Sequence, residues 1–278
     1  MPILYKANLL CNFNCLYCYQ HPIRPEEQVI DHDAVEKTIR RLWEEKGGKG
    51  KDGKPRVDKS GKYIGPKIVL HGGEPTILPK DIFERNLKLA YELTGMSGIQ
   101  TNGYLIDNEL IELFKKYNTS VCISIDGPWP LNELRGIGTP KERKKQTMKI
   151  LRNMDLLQDE KIRTSVIAVI HKANAVGDRK ELMEEWVKHL TMREITGRLN
   201  VCVSGNPKYD LTIKQATEFY TEMFDYMMLN GIRGWSPYRD IIASFKGDPK
   251  VVCVFRECDP YCSKSATSVM YDGSVGVC

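Results

Sequence analysis

Three cysteines within eight residues constrain this chain more than any other feature of its sequence. Cys11, Cys15 and Cys18 stand in the run Cys-Asn-Phe-Asn-Cys-Leu-Tyr-Cys, directly after the apolar run Ile3–Leu10. A cubane [4Fe–4S] cluster needs four ligands, and here three thiolates lie close together in the sequence. A structural zinc site usually has four protein ligands. The spacing therefore indicates an iron–sulfur cluster at the end of a strand, with one iron left for a ligand that is not protein.

Two other interpretations of these cysteines remain open. His21 follows Cys18 at a distance that allows Cys11, Cys15, Cys18 and His21 to form a zinc site. Disulfides are a weaker alternative, because the N-terminus has neither the charged region nor the apolar region of a signal peptide. We therefore expect a cytoplasmic protein whose cysteines serve metal or redox chemistry.

Apolar runs of strand type alternate with helical patterns about six times along the chain. The predicted strands are Ile3–Leu10, Lys67–Leu70, Gly98–Thr101, Ser120–Ile125, Ile162–Ile170 and Leu199–Val203. A helix is predicted at His32–Glu45, where Val35, Ile39, Leu42 and Trp43 share one face. Such alternation predicts right-handed βαβ units and a parallel sheet, with chemistry at the carboxyl ends of the strands.

Polar motifs follow three of the predicted strands. They are Gly72-Gly73-Glu74 after the second strand, Asn102 within Gln-Thr-Asn-Gly after the third, and Ser124 and Asp126 within Ser-Ile-Asp-Gly at the end of the fourth. Paired glycines let the backbone approach a ligand closely. Alternation along a strand puts Ser124 and Asp126 on one face, where both need hydrogen-bond partners.

Taken in this order, the motifs resemble those of the radical S-adenosylmethionine (radical SAM) enzymes. In that family the open iron binds the amino and carboxylate groups of SAM, and the reduced cluster cleaves SAM to a 5′-deoxyadenosyl radical. Tyr17 stands where the family prefers an aromatic residue. The resemblance implies that SAM is bound by Tyr17, Gly72, Gly73, Glu74, Asn102, Ser124, Asp126 and Arg135. It also implies a partial (β/α)6 barrel, an α/β fold with parallel strands.

The last part of the chain is rich in cysteine. Cys253, Cys258, Cys262 and Cys278 follow a polar, proline-bearing stretch, so we predict a barrel at residues 1–233 and a small cysteine-rich region at 234–278. The spacing from Cys262 through Gly273 to Cys278 resembles the auxiliary-cluster region called SPASM or twitch, though an incomplete one. This implies an auxiliary [4Fe–4S] cluster held by Cys262, Cys278 and either Cys258 or Cys253. A zinc site from the same four cysteines is the alternative.

The composition of the chain limits its partners. Apolar residues make up 41% and no apolar run is as long as the roughly 20 residues of a membrane span. The formal charge is only +5 and many lysines lie in the glycine-rich segment Lys46–Lys67, so the sequence gives little support for binding nucleic acid. We expect this segment to be a solvated hairpin or loop; a lid, or a docking surface for an acidic peptide, is the alternative.

The resemblance implies a SAM-cleaving enzyme that takes hydrogen from a peptide or protein substrate during ribosomal peptide maturation. The resemblance also implies a reductant such as flavodoxin or ferredoxin, and a separate peptide-recognition protein as a possible partner. Alternatives are a sulfatase-maturing type of enzyme, a radical SAM enzyme acting on a small molecule, and a zinc-stabilised scaffold without catalysis. No general base or hydrogen donor can be assigned from the sequence.

Overall fold

Six parallel strands separated by helices make up most of this computed structural model, which describes residues 2–20, 28–247 and 267–277. The strands are β1 (Ile3–Asn8), β2 (Ile68–Gly72), β3 (Ser97–Thr101), β4 (Thr119–Ser124), β5 (Thr164–Ile170) and β6 (Thr196–Val201). The helices are α1 (His32–Glu45), α2 (Lys80–Thr94), α3 (Asn108–Lys116), α4 (Pro140–Asp159), α5 (Lys172–Ala175), α6 (Arg179–Met192), α7 (Ile213–Leu229) and α8 (Tyr238–Phe245). The predicted α/β class with a mostly parallel sheet is confirmed.

The strands lie side by side in chain order, and every neighbouring pair from β1 to β6 is parallel. Within the described residues β6 lies at one edge of the sheet and does not pair with β1, so the sheet is open, as in a partial barrel. All six carboxyl ends therefore point the same way, which brings the loops after the strands to one end of the molecule.

In β1 and β2, buried side chains alternate with partly buried ones along the strand. In β1, Ile3 and Tyr5 are almost completely buried. Lys6, one position further along, is only partly buried and lies in register with His71 of β2. Because side chains alternate along a strand, Lys6 and His71 face the same side of the sheet. Polar side chains thus reach the interior of the barrel below the cysteine loop.

Side chains cap the amino ends of two long helices. The hydroxyl of Thr139 caps α4 and Glu142 completes the capping box, and Thr212 caps α7 in the same way with Gln215. Asp178 precedes α6, and the motif Asp178-Arg-Lys-Glu181 has the spacing of a capping box, but the Asp178 side chain makes no capping hydrogen bond. The predicted apolar face of α1, formed by Val35, Ile39, Leu42 and Trp43, is buried.

Residues 46–67 form short antiparallel hairpins rather than an unstructured loop. Lys49 pairs with Pro55 and Val57 with Tyr63, and the indole Nε1–H of Trp43 donates to the Tyr63 hydroxyl at 2.9 Å. The segment ends beside the amino end of β1, where the Ile3 N–H donates to the Lys67 carbonyl at 2.8 Å. It therefore lies at the end of the sheet opposite the loops that carry the motifs, which argues against a lid over them.

The C-terminal residues extend the same sheet. Strand β7 (Thr267–Met270) pairs parallel to β1, and β8 (Val275–Val277) pairs antiparallel to β7 after a turn. The sequence Tyr271-Asp-Gly-Ser-Val-Gly-Val predicts a turn followed by a strand, and both are confirmed. The predicted division at residue 234 stays a prediction, because Cys253, Cys258, Cys262 and Cys278 lie outside the described residues. Among the helices that the structure describes, none is both long and apolar enough for a membrane span.

Candidate functional site

The three N-terminal cysteines lie in a loop at the carboxyl end of β1, and all three line one cavity of about 380 Å³. This volume is within the range of roughly 300–1,000 Å³ that is usual for small-molecule sites. The loop is held by the segment that ends at Gly136. The Asn14 N–H donates to the Gly136 carbonyl at 3.0 Å, and the Leu16 N–H donates to the Leu134 carbonyl at 2.9 Å. The cysteine loop is thus built onto a second loop that follows β4.

The other residues predicted to bind the cofactor converge on the same cavity, with one exception. The cavity is lined by Cys11, Cys15, Cys18, Tyr17, Gly72, Gly73, Glu74, Asn102, Ser124 and Arg135. Asp126 does not line it, because its side chain is completely buried behind Tyr17. Parallel strands with loops at one end account for the convergence of motifs that are far apart in the sequence.

The thiols of the loop accept hydrogen bonds from the backbone at two positions. The Phe13 N–H donates to Cys11 Sγ and the Gly136 N–H donates to Cys15 Sγ, each at 3.4 Å. Three thiols that line one cavity supply the kind of ligand that a [4Fe–4S] cluster takes, so the residues present fit such a cluster. His21, needed for the zinc alternative, lies outside the described residues.

Burial raises the pKa of the Cys15 thiol, while the Arg135 guanidinium and the Gly136 N–H act in the opposite direction. Iron binds the thiolate form, which burial alone disfavours. Arg135 and Gly136 thus help to offset the cost of a buried thiolate at this position.

The two glycines of the Gly-Gly-Glu motif let β2 pack against the cysteine loop. A Cβ on Gly72 would lie 2.1 Å from the Asn8 carbonyl oxygen, and one on Gly73 would lie 1.9 Å from the Leu10 carbonyl oxygen. Without these Cβ atoms the two backbones come close enough for two hydrogen bonds. The Gly73 N–H donates to the Asn8 carbonyl at 2.9 Å, and the Glu74 N–H donates to the Leu10 carbonyl at 2.8 Å. Close backbone approach was predicted for these glycines, but the partner found here is the chain itself.

The carboxylate of Glu74 is buried and accepts hydrogen bonds from its own loop and from the end of β3. The Thr76 N–H and hydroxyl donate to Oε1 at 3.0 and 2.7 Å, as does the Thr101 hydroxyl at 2.6 Å; the Asn102 N–H donates to Oε2 at 2.6 Å. Burial raises the pKa of Glu74 despite these donors. Glu74 therefore joins the ends of β2 and β3 as well as lining the cavity.

Asn102 and Ser124 present polar atoms to the cavity and are held in place by neighbouring side chains. The Asn102 amide Nδ2 donates to Asn12 Oδ1 at 2.8 Å, which connects the end of β3 to the cysteine loop. The Gln100 amide donates to the Ser124 hydroxyl at 3.4 Å. The Asn102 amide and the Ser124 hydroxyl each carry a donor and an acceptor, so a ligand with hydroxyl groups could form hydrogen bonds with both side chains.

Asp126 and Arg135 form a buried ion pair beside Tyr17. Arg135 Nη2 donates to Asp126 Oδ1 at 3.2 Å, and the Tyr17 hydroxyl donates to Oδ2. Although burial alone would raise the pKa of Asp126, Arg135, His171 and Tyr17 bring it down to about 2. Arg135 keeps one buried donor, Nε, without a hydrogen-bond partner in the described structure. A cavity-lining guanidinium with an unused N–H fits an anionic ligand group, such as the carboxylate predicted for SAM.

Three residues to which the sequence analysis gave no role also belong to this region. His71 and Cys202 line the cavity, and burial lowers the pKa of His71 to about 4, with Lys6 acting in the same direction. His171 is completely buried at the end of β5, with Nε2 3.5 Å from Asp126 Oδ2. Their position was the one feature of the sequence that could have indicated a role at the site, because each of the three stands at or just after the carboxyl end of a strand.

Comparison with known proteins supports the assignment of the fold. Residues 56–191 match the protein-family model of the radical SAM superfamily. The chain is 23% identical over 251 residues to a cysteine-type anaerobic sulfatase-maturating enzyme of Clostridium perfringens, covering 83% of this chain and 62% of that protein. It is 30% identical over 182 residues to a serine-type enzyme of Bacteroides thetaiotaomicron, covering 60% of this chain and 38% of the relative. The chain thus spans less than two thirds of the length of these relatives.

Solved structures show the same fold. The structure of anSMEcpe with bound AdoMet superposes with a TM-score of 0.73 at 20% identity, covering 100% of this chain and 74% of that one. Streptococcus suis SuiB bound to S-adenosylmethionine gives a TM-score of 0.68 at 16% identity, covering 100% and 60%. At these identities the similarity establishes the architecture alone.

Proposed function

Because the chain carries a radical SAM domain, as its sequence predicts, we propose that it binds a [4Fe–4S] cluster and SAM in the cavity at the carboxyl ends of the strands and modifies a peptide or protein there. When bound, the reduced cluster and SAM supply a radical that removes a hydrogen atom from the substrate. The observation that carries the proposal is the convergence of Cys11, Cys15 and Cys18 with Arg135 in one cavity.

In this proposal the chain's own residues bind and orient the cofactors. The three cysteines hold the cluster. Arg135 binds the SAM carboxylate through the N–H groups that Asp126 does not use, and the Gly72–Glu74 turn faces the ammonium. Asn102 and Ser124 hydrogen-bond the ribose hydroxyls, and Tyr17 forms the wall beside the cluster. Asp126, which has no access to the cavity, supports Arg135 and Tyr17 instead of touching the cofactor.

The names of the similar proteins support a peptide or protein as the substrate. Two relatives are sulfatase-maturating enzymes, and anSMEcpe has been solved with AdoMet and the Cp18Cys peptide. We propose ribosomal peptide maturation as the activity of this chain. A sulfatase as the protein substrate is a second candidate, favoured by the names of those relatives. Assay of the reconstituted protein with peptides from sulfatases and from small ribosomal peptides would separate the two.

The remaining parts of the proposal concern partners and the C-terminal cysteines. We propose an auxiliary [4Fe–4S] cluster on Cys262, Cys278 and either Cys258 or Cys253. A flavodoxin or ferredoxin would deliver the electron, and a separate protein would present the peptide. Iron and sulfide analysis of Cys262→Ala, compared with the unaltered protein, tests the auxiliary cluster by the number of irons lost.

The proposal as a whole is tested by anaerobic reconstitution followed by measurement of bound iron and of 5′-deoxyadenosine formed from SAM under reductant. We expect Cys15→Ala to abolish deoxyadenosine formation, because one iron loses its ligand. Cys122→Ala is the matched control, since Cys122 is a half-buried cysteine on β4 outside the loop, and it should retain activity. Bound zinc without iron, or no deoxyadenosine from the unaltered protein, would refute the enzyme and favour the scaffold alternative.

A further inference from the structure

We propose that His171 is a positioning residue for the cofactor cavity: through Asp126 it holds the Arg135 guanidinium in the orientation that receives an anionic group. This inference rests on the proposed function in so far as the anionic group is the SAM carboxylate. His171 lies at the end of β5, outside every motif discussed above, and it does not line the cavity itself. Its action on the cofactor is therefore indirect.

Asp126 is the centre of the arrangement. Its side chain is completely buried, and Oδ1 accepts hydrogen bonds from Arg135 Nη2 at 3.2 Å and from the Val169 N–H at 2.9 Å. Oδ2 faces the Tyr17 hydroxyl and, at 3.5 Å, His171 Nε2. One carboxylate thus connects the cysteine loop, the end of β5 and the loop that carries Arg135. A buried carboxylate needs all of its partners, because each lost donor leaves part of a charge without compensation.

The backbone at His171 is fixed by the first turn of α5. The His171 N–H donates to Asn174 Oδ1 at 2.8 Å, and the Asn174 amide donates to the Val169 carbonyl at 2.9 Å. Since the Asp126 carboxylate can only accept, a hydrogen on His171 Nε2 would serve it, and the Asn174 amide, 3.2 Å from Nε2, then donates to the Val169 carbonyl alone. In this tautomer Nδ1 carries no hydrogen, and it has no partner in the described structure. Among the described residues, His171 and Arg135 are the basic side chains paired with Asp126.

Arg135 has two roles that depend on this geometry. Its Nη2 is held by Asp126, its guanidinium lies 5.5 Å from the centre of the Tyr17 ring, and its buried Nε has no partner in the described structure. When His171 is removed, Asp126 loses one partner. Arg135 then becomes its main compensating charge. We expect the guanidinium to turn towards Asp126 and to give up part of its ability to bind a carboxylate in the cavity.

The test compares two ligands that differ by the group in question: SAM and its decarboxylated analogue. Equilibrium binding of both to the anaerobically reconstituted protein gives a preference ratio, which does not depend on turnover. We expect His171→Leu to lower this ratio about tenfold or more, equivalent to about 1.4 kcal/mol. His171→Gln should restore much of it, because the glutamine amide can donate to Asp126. His189→Leu, at an exposed histidine of α6, is the matched control and should leave the ratio unchanged.

If His171 had only a structural effect, its removal would weaken the binding of both ligands equally. An unchanged preference ratio in His171→Leu would therefore overturn the inference. Should His171→Leu fail to fold, Asn174→Ser provides a second variant, because it loosens His171 without removing it; an unchanged ratio there would equally overturn the inference. In the background of Arg135→Gln, the change at His171 should have no further effect on the ratio. If the unaltered protein does not bind SAM at all, the proposed function fails, which is a different result.

Discussion

At the scale of single residues, the two motif carboxylates turn out to be bound largely by the protein. Glu74 accepts hydrogen bonds from the ends of β2 and β3, and Asp126 is surrounded by Tyr17, Arg135 and His171. The sequence predicted where these carboxylates would lie, because motifs after parallel strands meet at one edge. It could not predict their partners, since those come from loops whose packing is decided only in three dimensions. His171, which follows β5 without any motif, is the clearest example.

Glu74→Gln should destabilise the protein by about 1–3 kcal/mol, because the new amide places its N–H groups opposite a backbone donor and leaves that donor unpaired inside the molecule. The donors concerned are the N–H groups of Thr76 and Asn102, which cannot turn into acceptors as the hydroxyls of Thr76 and Thr101 can. Urea unfolding of the protein without cluster measures the change. Glu112→Gln, at an exposed glutamate of α3, should unfold at the same midpoint as the unaltered protein. Equal midpoints for both variants would show that the bonds to Glu74 contribute little.

At the scale of elements, the site depends on the contact between the loop after β1 and the loop after β2. Gly72 and Gly73 permit this contact, and two backbone hydrogen bonds from Gly73 and Glu74 close it. The Gly-Gly-Glu motif therefore holds the residues directly before Cys11 in place, and it also lines the cavity. The sequence suggested that these glycines allow a close approach, but it could not distinguish a ligand from a neighbouring strand.

Gly73→Ala should loosen the cysteine loop and reduce the iron bound after reconstitution, with a loss of stability of about 3 kcal/mol from the overpacking. The matched control is Gly95→Ala at the end of α2. Gly95 has a φ of 72°, but a Cβ at this position would have no atom within 4 Å, so only backbone strain of about 1 kcal/mol applies. Iron content and thermal unfolding are the two measurements. Full iron content in Gly73→Ala would mean that the two loops can separate without harm to the site.

At the scale of the whole molecule, most of the hydrophobic core lies away from the site, although Phe13 and Cys15 belong to both. Fully buried side chains such as Leu70, Phe83, Ile99 and Ile123 lie between the sheet and the helices, away from the cavity. Hydrophobic periodicity predicted the part of this core that α1 contributes, because residues that recur with the helical period share one face and are buried together. The β7–β1 pairing was not foreseen, since nothing local in a short strand indicates which distant strand it joins.

Removal of the cluster should leave the fold in place. Anaerobic treatment with a chelator and an oxidant is expected to abolish the iron–sulfur absorbance while the far-ultraviolet circular dichroism keeps its helical bands. The physical reason is that the main hydrophobic core consists almost entirely of apolar side chains that bind no metal. A collapsed spectrum after iron loss would instead identify the metal as a structural requirement, as in small zinc domains.

The parallel pairing of β7 with β1 has a consequence for biosynthesis. After β1 has been synthesised, it can pair with β2 as soon as residues 68–72 follow, but its other side stays uncovered until residues 267–270 have been made. Until then it offers an open row of amide and carbonyl groups to any extended chain nearby. Slower elongation lengthens this exposure and should therefore decrease the yield of soluble polypeptide, which the soluble fraction after expression measures.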